Sequence, residues 1–145
     1  MTDRQLMMKM DQVSLSKRLS TVDKAKEMAV LLVQAYFSGA DLLIGTERKP
    51  DGTNKPVGMV FEFREENQGR VTLPVCFSSQ RFAEKAPCRC EKAGAGKIVD
   101  DLLASDYPGL VFNPYSEDPQ TTRIIIPRDI IRKIIDQVKN SEAET

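Results

Sequence analysis

The strongest constraint on this chain's fold is a pair of alternating runs in its middle. Val57, Met59, Phe61 and Phe63 alternate with Gly58, Val60, Glu62 and Arg64. After Glu65-Glu66-Asn67-Gln68-Gly69, Val71, Leu73, Val75 and Phe77 alternate with Thr72, Pro74, Cys76 and Ser78. A side-chain period of two puts each apolar set on one face of a strand, and the polar break between the runs makes them a β-hairpin. Pro74 cannot donate to a ladder, so its place is a sheet edge or a bulge.

The flanking sequence supplies the elements that cover this hairpin. Met28, Ala29, Leu32, Val33 and Tyr36 form one stripe of a helix over residues 21–37, with Gly39 as its C-terminal cap. Leu42-Leu43-Ile44 predicts a short strand, and residues 49–54 carry strong turn chemistry. Residues 79–86 and 96–105 predict two helices, and Leu110-Val111-Phe112 and Ile124-Ile125-Ile126 predict buried strands. Pro127 suits the start of a last helix, whose buried face is Ile130, Ile131, Ile134, Ile135 and Val138. The expected class is α+β, in the order α-β-β-β-α-α-β-β-α. An antiparallel or mixed sheet of about five strands carries helices on one face, and the hairpin's apolar set shares a core with the last helix. Residues 1–13 read as a disordered segment, 14–140 as one domain and 141–145 as a frayed tail.

The 145 residues match one domain with one core. Lys and Arg together number 21, as do Asp and Glu, so no overall field favours nucleic acid, and no apolar run reaches a membrane span. The expectation is a cytoplasmic protein with neither nucleic-acid nor membrane partners. Three cysteines, an odd number, also favour a reducing compartment.

Two short motifs carry a family resemblance. A strand runs into Phe77-Ser78-Ser79 at the mouth of a short helix, and a later apolar strand ends in Asn113-Pro114. With the order of elements, this resembles the N-terminal domain of the SseB (enhanced serine sensitivity) family over roughly residues 20–139. Ser78 stands where that family usually has Thr, and Pro74 sits one residue early against its pattern. The resemblance implies a bacterial cytoplasmic protein without an established catalytic residue.

Candidate chemistry is sparse. The sequence has no histidine, which excludes Ser-His and Cys-His nucleophilic pairs and His-containing zinc sites. Gly94-Ala95-Gly96-Lys97 resembles the end of a phosphate loop, but Glu91 replaces its first glycine and Ile98 its hydroxyl residue. Cys88 and Cys90, flanked by Lys85, Arg89 and Lys92, are candidates for a redox pair with a lowered thiolate pKa, against a plainer reading as loop thiols. Ser79 reads as an N-cap and Asn113-Pro114 as a strand-ending turn. No metal site, cofactor or catalytic residue is expected.

The leading expectation is a non-enzymatic interaction or regulatory module that binds another protein or a second copy of itself. Its contacts would come from Phe77, Ser78, Ser79, Asn113 and Pro114 at the strand ends and from Val60 and Thr72 on the sheet. The alternatives are a small cysteine-dependent redox protein or enzyme using Cys88 and Cys90, and a secretion effector, chaperone or immunity partner.

Overall fold

A computed structural model describes residues 2–62 and 69–143. Phe63, the charged residues 64–66 and the last two residues of the expected tail lie outside the described residues. Among the described residues there are six helices: Asp3–Leu15 (α1), Thr21–Ser38 (α2), Gln80–Ala83 (α3), Ala95–Leu103 (α4), Pro119–Thr122 (α5) and Arg128–Ala143 (α6). The strands are Asp41–Arg48 (β1), Asn54–Pro56 (β2), Gly58–Glu62 (β3), Arg70–Phe77 (β4), Arg89–Gly94 (β5), Gly109–Phe112 (β6) and Ile124–Pro127 (β7). The class is α+β, and among the described residues the sheet has seven strands, more than the five or so expected, and is mixed, the second of the two arrangements expected and not the antiparallel one.

The mixed character comes from how β4 is used. It pairs antiparallel with β1 at Leu43–Phe77 and Ile44–Cys76, and parallel with β6 at Val75–Val111 and Cys76–Phe112. A parallel neighbour needs a long crossover, which here runs through α3, β5 and α4. β7 then returns antiparallel to β6. β5 lies along the other edge of β1, from Asp41–Gly94 to Thr46–Arg89. Its sequence, Arg-Cys-Glu-Lys-Ala-Gly, has no apolar alternation, which is why it reads as a loop.

At Gly45 the sheet branches. Beyond the β1–β4 ladder, β1 pairs with β2 in one hairpin and β4 pairs with β3 in another. Val57 joins the two arms: its N–H donates to the Gly45 carbonyl at 2.8 Å, and its carbonyl accepts from Val75 N–H at 3.0 Å. A Cβ on Gly45 would stand 2.9 Å from Cys88 Sγ, so any larger residue at this crossing would displace the half-buried Cys88 side chain. Pro74, paired with Gly58, sits next to the branch, an interruption of the kind its missing N–H requires.

Both faces of the sheet are covered, which corrects the expected core. Leu73, Val75 and Phe77 are buried, as the alternation predicts, and partly buried Met59 and Phe61 join them. They pack with Val111, Phe82 and Ala83, on the side away from α6. Ile131 and Ile135 belong to the other layer, with Met28, Leu32, Leu110 and Phe112, and half-buried Ile130 and Ile134 pack against it. Alternation marks a buried face without naming what covers it. Cys76, on the supposedly open face, is 1% exposed beneath the helices.

The N-terminal segment is also ordered where disorder was expected. Thr2 Oγ1 accepts from Gln5 N–H at 3.1 Å and Gln5 Oε1 accepts from Thr2 N–H at 2.9 Å, a capping box that starts α1. Leu6, Met10 and Val13 then fall on one buried stripe. At the other end α6 continues through residues 141–143.

Candidate functional site

Because β4 and β6 run parallel, their C-terminal ends emerge side by side, and both family-like motifs meet there. Asn113 adopts φ 54, a left-handed conformation that asparagine tolerates better than most residues. Its Oδ1 accepts from Ser78 N–H at 3.0 Å, and its Nδ2 donates to Ser14 Oγ at 2.6 Å and Ser78 Oγ at 3.0 Å. Ser78 Oγ donates to Asp11 Oδ1 at 2.5 Å, and Thr122 Oγ1 donates to the Asn113 carbonyl at 3.0 Å. One asparagine therefore ties α1 and α5 to the end of the sheet.

This knot changes where the sequence-nominated residues sit. Phe77, Ser78, Ser79, Asn113 and Pro114 are all buried, so their contacts are internal. Ser79 occupies the N-cap position of α3, but its hydroxyl makes no capping bond and has no partner among the described residues, contrary to the expected cap. Next to the knot, buried Lys24 donates to the carbonyls of Ser14 at 3.0 Å and Thr121 at 2.6 Å. Burial holds its pKa below the ordinary lysine value, and Asp118 opposes that shift.

Cys88 and Cys90 are half-buried. Burial pushes both thiols up, the opposite of what a nucleophilic thiolate needs. The flanking cations do not reverse this: Lys85 is paired with Glu117 at 2.7 Å, and Arg89 and Lys92 are exposed. Cys76 is pushed up to about 12 by complete burial. The phosphate-loop residues are likewise committed elsewhere. Ala95 N–H, at the start of α4, donates to the Ala40 carbonyl at 2.8 Å, and Lys97 pairs with Asp101 at 2.7 Å.

Val60 and Thr72 are different. They are cross-strand partners in the β3–β4 arm, both exposed, with Val60 at 55%. Their face continues along β4 to Pro74 and Cys76, which line a cleft of about 430 Å³. Ile44 and Thr46 of β1, Pro56 of β2, and Ile98 and Leu102 of α4 also line it. Thr46 is 2% exposed and its hydroxyl has no hydrogen-bond partner among the described residues. At the mouth, Lys55 pairs with Glu47 at 2.6 Å and Asn54 donates to Glu91.

The sequence did not point to this cleft, since its lining comes from five strands and a helix with no shared period. The one available signal is Gly45-Thr46, a small and a polar residue directly after the apolar run of β1. No family model, curated protein or solved structure matches the chain, and the geometry of these sites is therefore the basis for any functional reading.

Proposed function

We propose that this domain is a non-catalytic interaction module of a bacterial cytoplasm, akin to the SseB N-terminal domain it resembles. Its partner would be a protein strand, from another chain or a second copy, received on the β3–β4 arm. The observation that carries the reading is Val60, a β-branched apolar side chain 55% exposed opposite Thr72. Among the described residues β3 pairs with β4 alone, so its outer edge offers unpaired N–H and C=O groups for strand addition.

Light scattering after size exclusion, across a dilution series, tests the second-copy form. A pull-down from bacterial lysate tests the other. In each, Val60→Lys should abolish the association and Val60→Thr should retain most of it, since the lysine places a charge at the contact while threonine keeps the strand's shape. Association unaffected by Val60→Lys, or its absence in both assays, would overturn the proposal.

A further inference from the structure

Where the sheet branches, two thiols share one spot. Cys90 stands opposite Gly45 in the β1–β5 ladder, so its side chain lies on the face toward which a Cβ of Gly45 would point. Such a Cβ would meet Cys88 Sγ at 2.9 Å, so the Cys88 sulfur lies in the room that the missing side chain leaves. The two thiols are within hydrogen-bonding reach of each other, and both are half-buried, open enough for a small ion to reach. Cys90 Sγ otherwise makes only long contacts, 3.7 Å to the Ala83 carbonyl and 3.9 Å to that of Cys88. Glycine inside a strand weakens it and marks a close approach, and here what approaches is one sulfur seated beside another.

The donor set decides which ion fits. Among the described residues no group of three or more His, Cys, Asp or Glu side chains could hold a metal, so the pair stands alone. Cys76, the third cysteine, packs in the opposite layer. Zinc takes four ligands and would find two here, whereas thiolates select soft ions such as copper(I). We propose that Cys88 and Cys90 form a two-coordinate site for a soft monovalent cation of the copper(I) kind, held between the two sulfurs over Gly45. On binding, each S–H gives its proton to solvent as its S–metal bond forms, and no electron changes hands. The cation offsets the repulsion between two adjacent thiolates in a half-buried place. This goes beyond the strand-docking reading and stands without it.

The test uses the whole protein, kept reduced under inert gas, with copper(I) supplied through a competing colorimetric chelator. One copper(I) per chain should bind, with a thiolate-to-metal band in the ultraviolet and an X-ray absorption spectrum showing two sulfur neighbours. Cys88→Ser and Cys90→Ser, confirmed as folded by circular dichroism, should each weaken binding at least ~100-fold, beyond the roughly 10–100-fold that loss of a supporting contact costs. Cys76→Ala should leave copper(I) affinity unchanged, because that thiol lies in the other layer. Gly45→Ala keeps both thiols but displaces the Cys88 sulfur, and should weaken binding about 10-fold. Zinc(II) in the same competition should bind at least ~100-fold more weakly, for want of two ligands. Copper(I) held as tightly after either serine substitution, zinc(II) matching copper(I), Gly45→Ala binding like the parent, or a stoichiometry other than one per chain would each overturn the assignment.

Discussion

Replacing Asn113 with alanine should loosen one end of the sheet, and the cost can be worked from the bonds it breaks. The side chain satisfies Ser78 N–H, Ser14 Oγ and Ser78 Oγ, all within the buried knot. Ser78 N–H has no way to turn toward water, so orphaning it costs about 1–3 kcal/mol. The two hydroxyls can rotate, and Ser78 keeps Asp11, so together they add about 1 kcal/mol. Alanine at φ 54 adds a further ~1 kcal/mol of backbone strain relative to asparagine. The total is roughly 3–5 kcal/mol, a large share of the roughly 5–15 kcal/mol that holds an ordinary domain folded. Thermal unfolding should shift down by about 10 °C, at about 2–4 °C per kcal/mol for a chain of this size. Asn113→Gly, which loses the bonds but not the conformation, should recover only the strain portion. Hydrogen exchange should show α1 losing protection before β1 and β4, since the knot is one of its anchors. An Asn113→Ala protein that melts within 2 °C of the parent with α1 fully protected, thresholds set from that same slope, would refute this account of the knot.

Other outcomes follow from single features. Ile131→Asp should be destabilising by several kcal/mol in chemical denaturation, because a 0%-exposed site offers the charge no partner, while the same change at half-buried Ile134 should cost less; equal costs would mean α6 is rotated from its described packing. Gly109→Ala should be severely destabilising, since its Cβ would meet the Ile126 carbonyl, whereas Gly58→Ala meets only the exposed Thr72 methyl and should be rescued by Thr72→Ala in a double-mutant denaturation cycle. Alkylation of Cys88 and Cys90 in the native protein should accelerate at higher pH than an ordinary thiol of pKa about 8.5, and a native rate profile at or below that value would contradict the burial-raised thiols. Cys76, raised from 9.0 to about 12, favours its neutral form in the folded state. Its contribution is fully present below the unfolded thiol's pKa and is lost between pH 9 and 12, by about 4 kcal/mol at about 1.36 kcal/mol per unit. Cys76→Ala should flatten stability in that window, and an unchanged slope would reject the assignment.

What the sequence determined by itself was local. The alternation of Leu73, Val75 and Phe77, the stripe of α2 with its Gly39 cap, and the apolar strands at 110–112 and 124–126 are written in spacing that backbone periodicity enforces. Tertiary structure decided which layer covers each face. Cys76 and Val75 are adjacent in sequence and almost equally buried, one under the helices and the other under α3, because β4 is an inner strand with cover on both sides. It also decided that β5 is a strand at all, since its backbone is recruited by β1 and not by any pattern of its own. The same holds for the sites. Ser78 and Asn113 look like surface motifs until the parallel β4–β6 pairing brings them together and turns their polarity inward. The cleft likewise exists only in the fold, since its lining from β1, β2, β4, β5, β6 and α4 joins distant segments that no local spacing encodes.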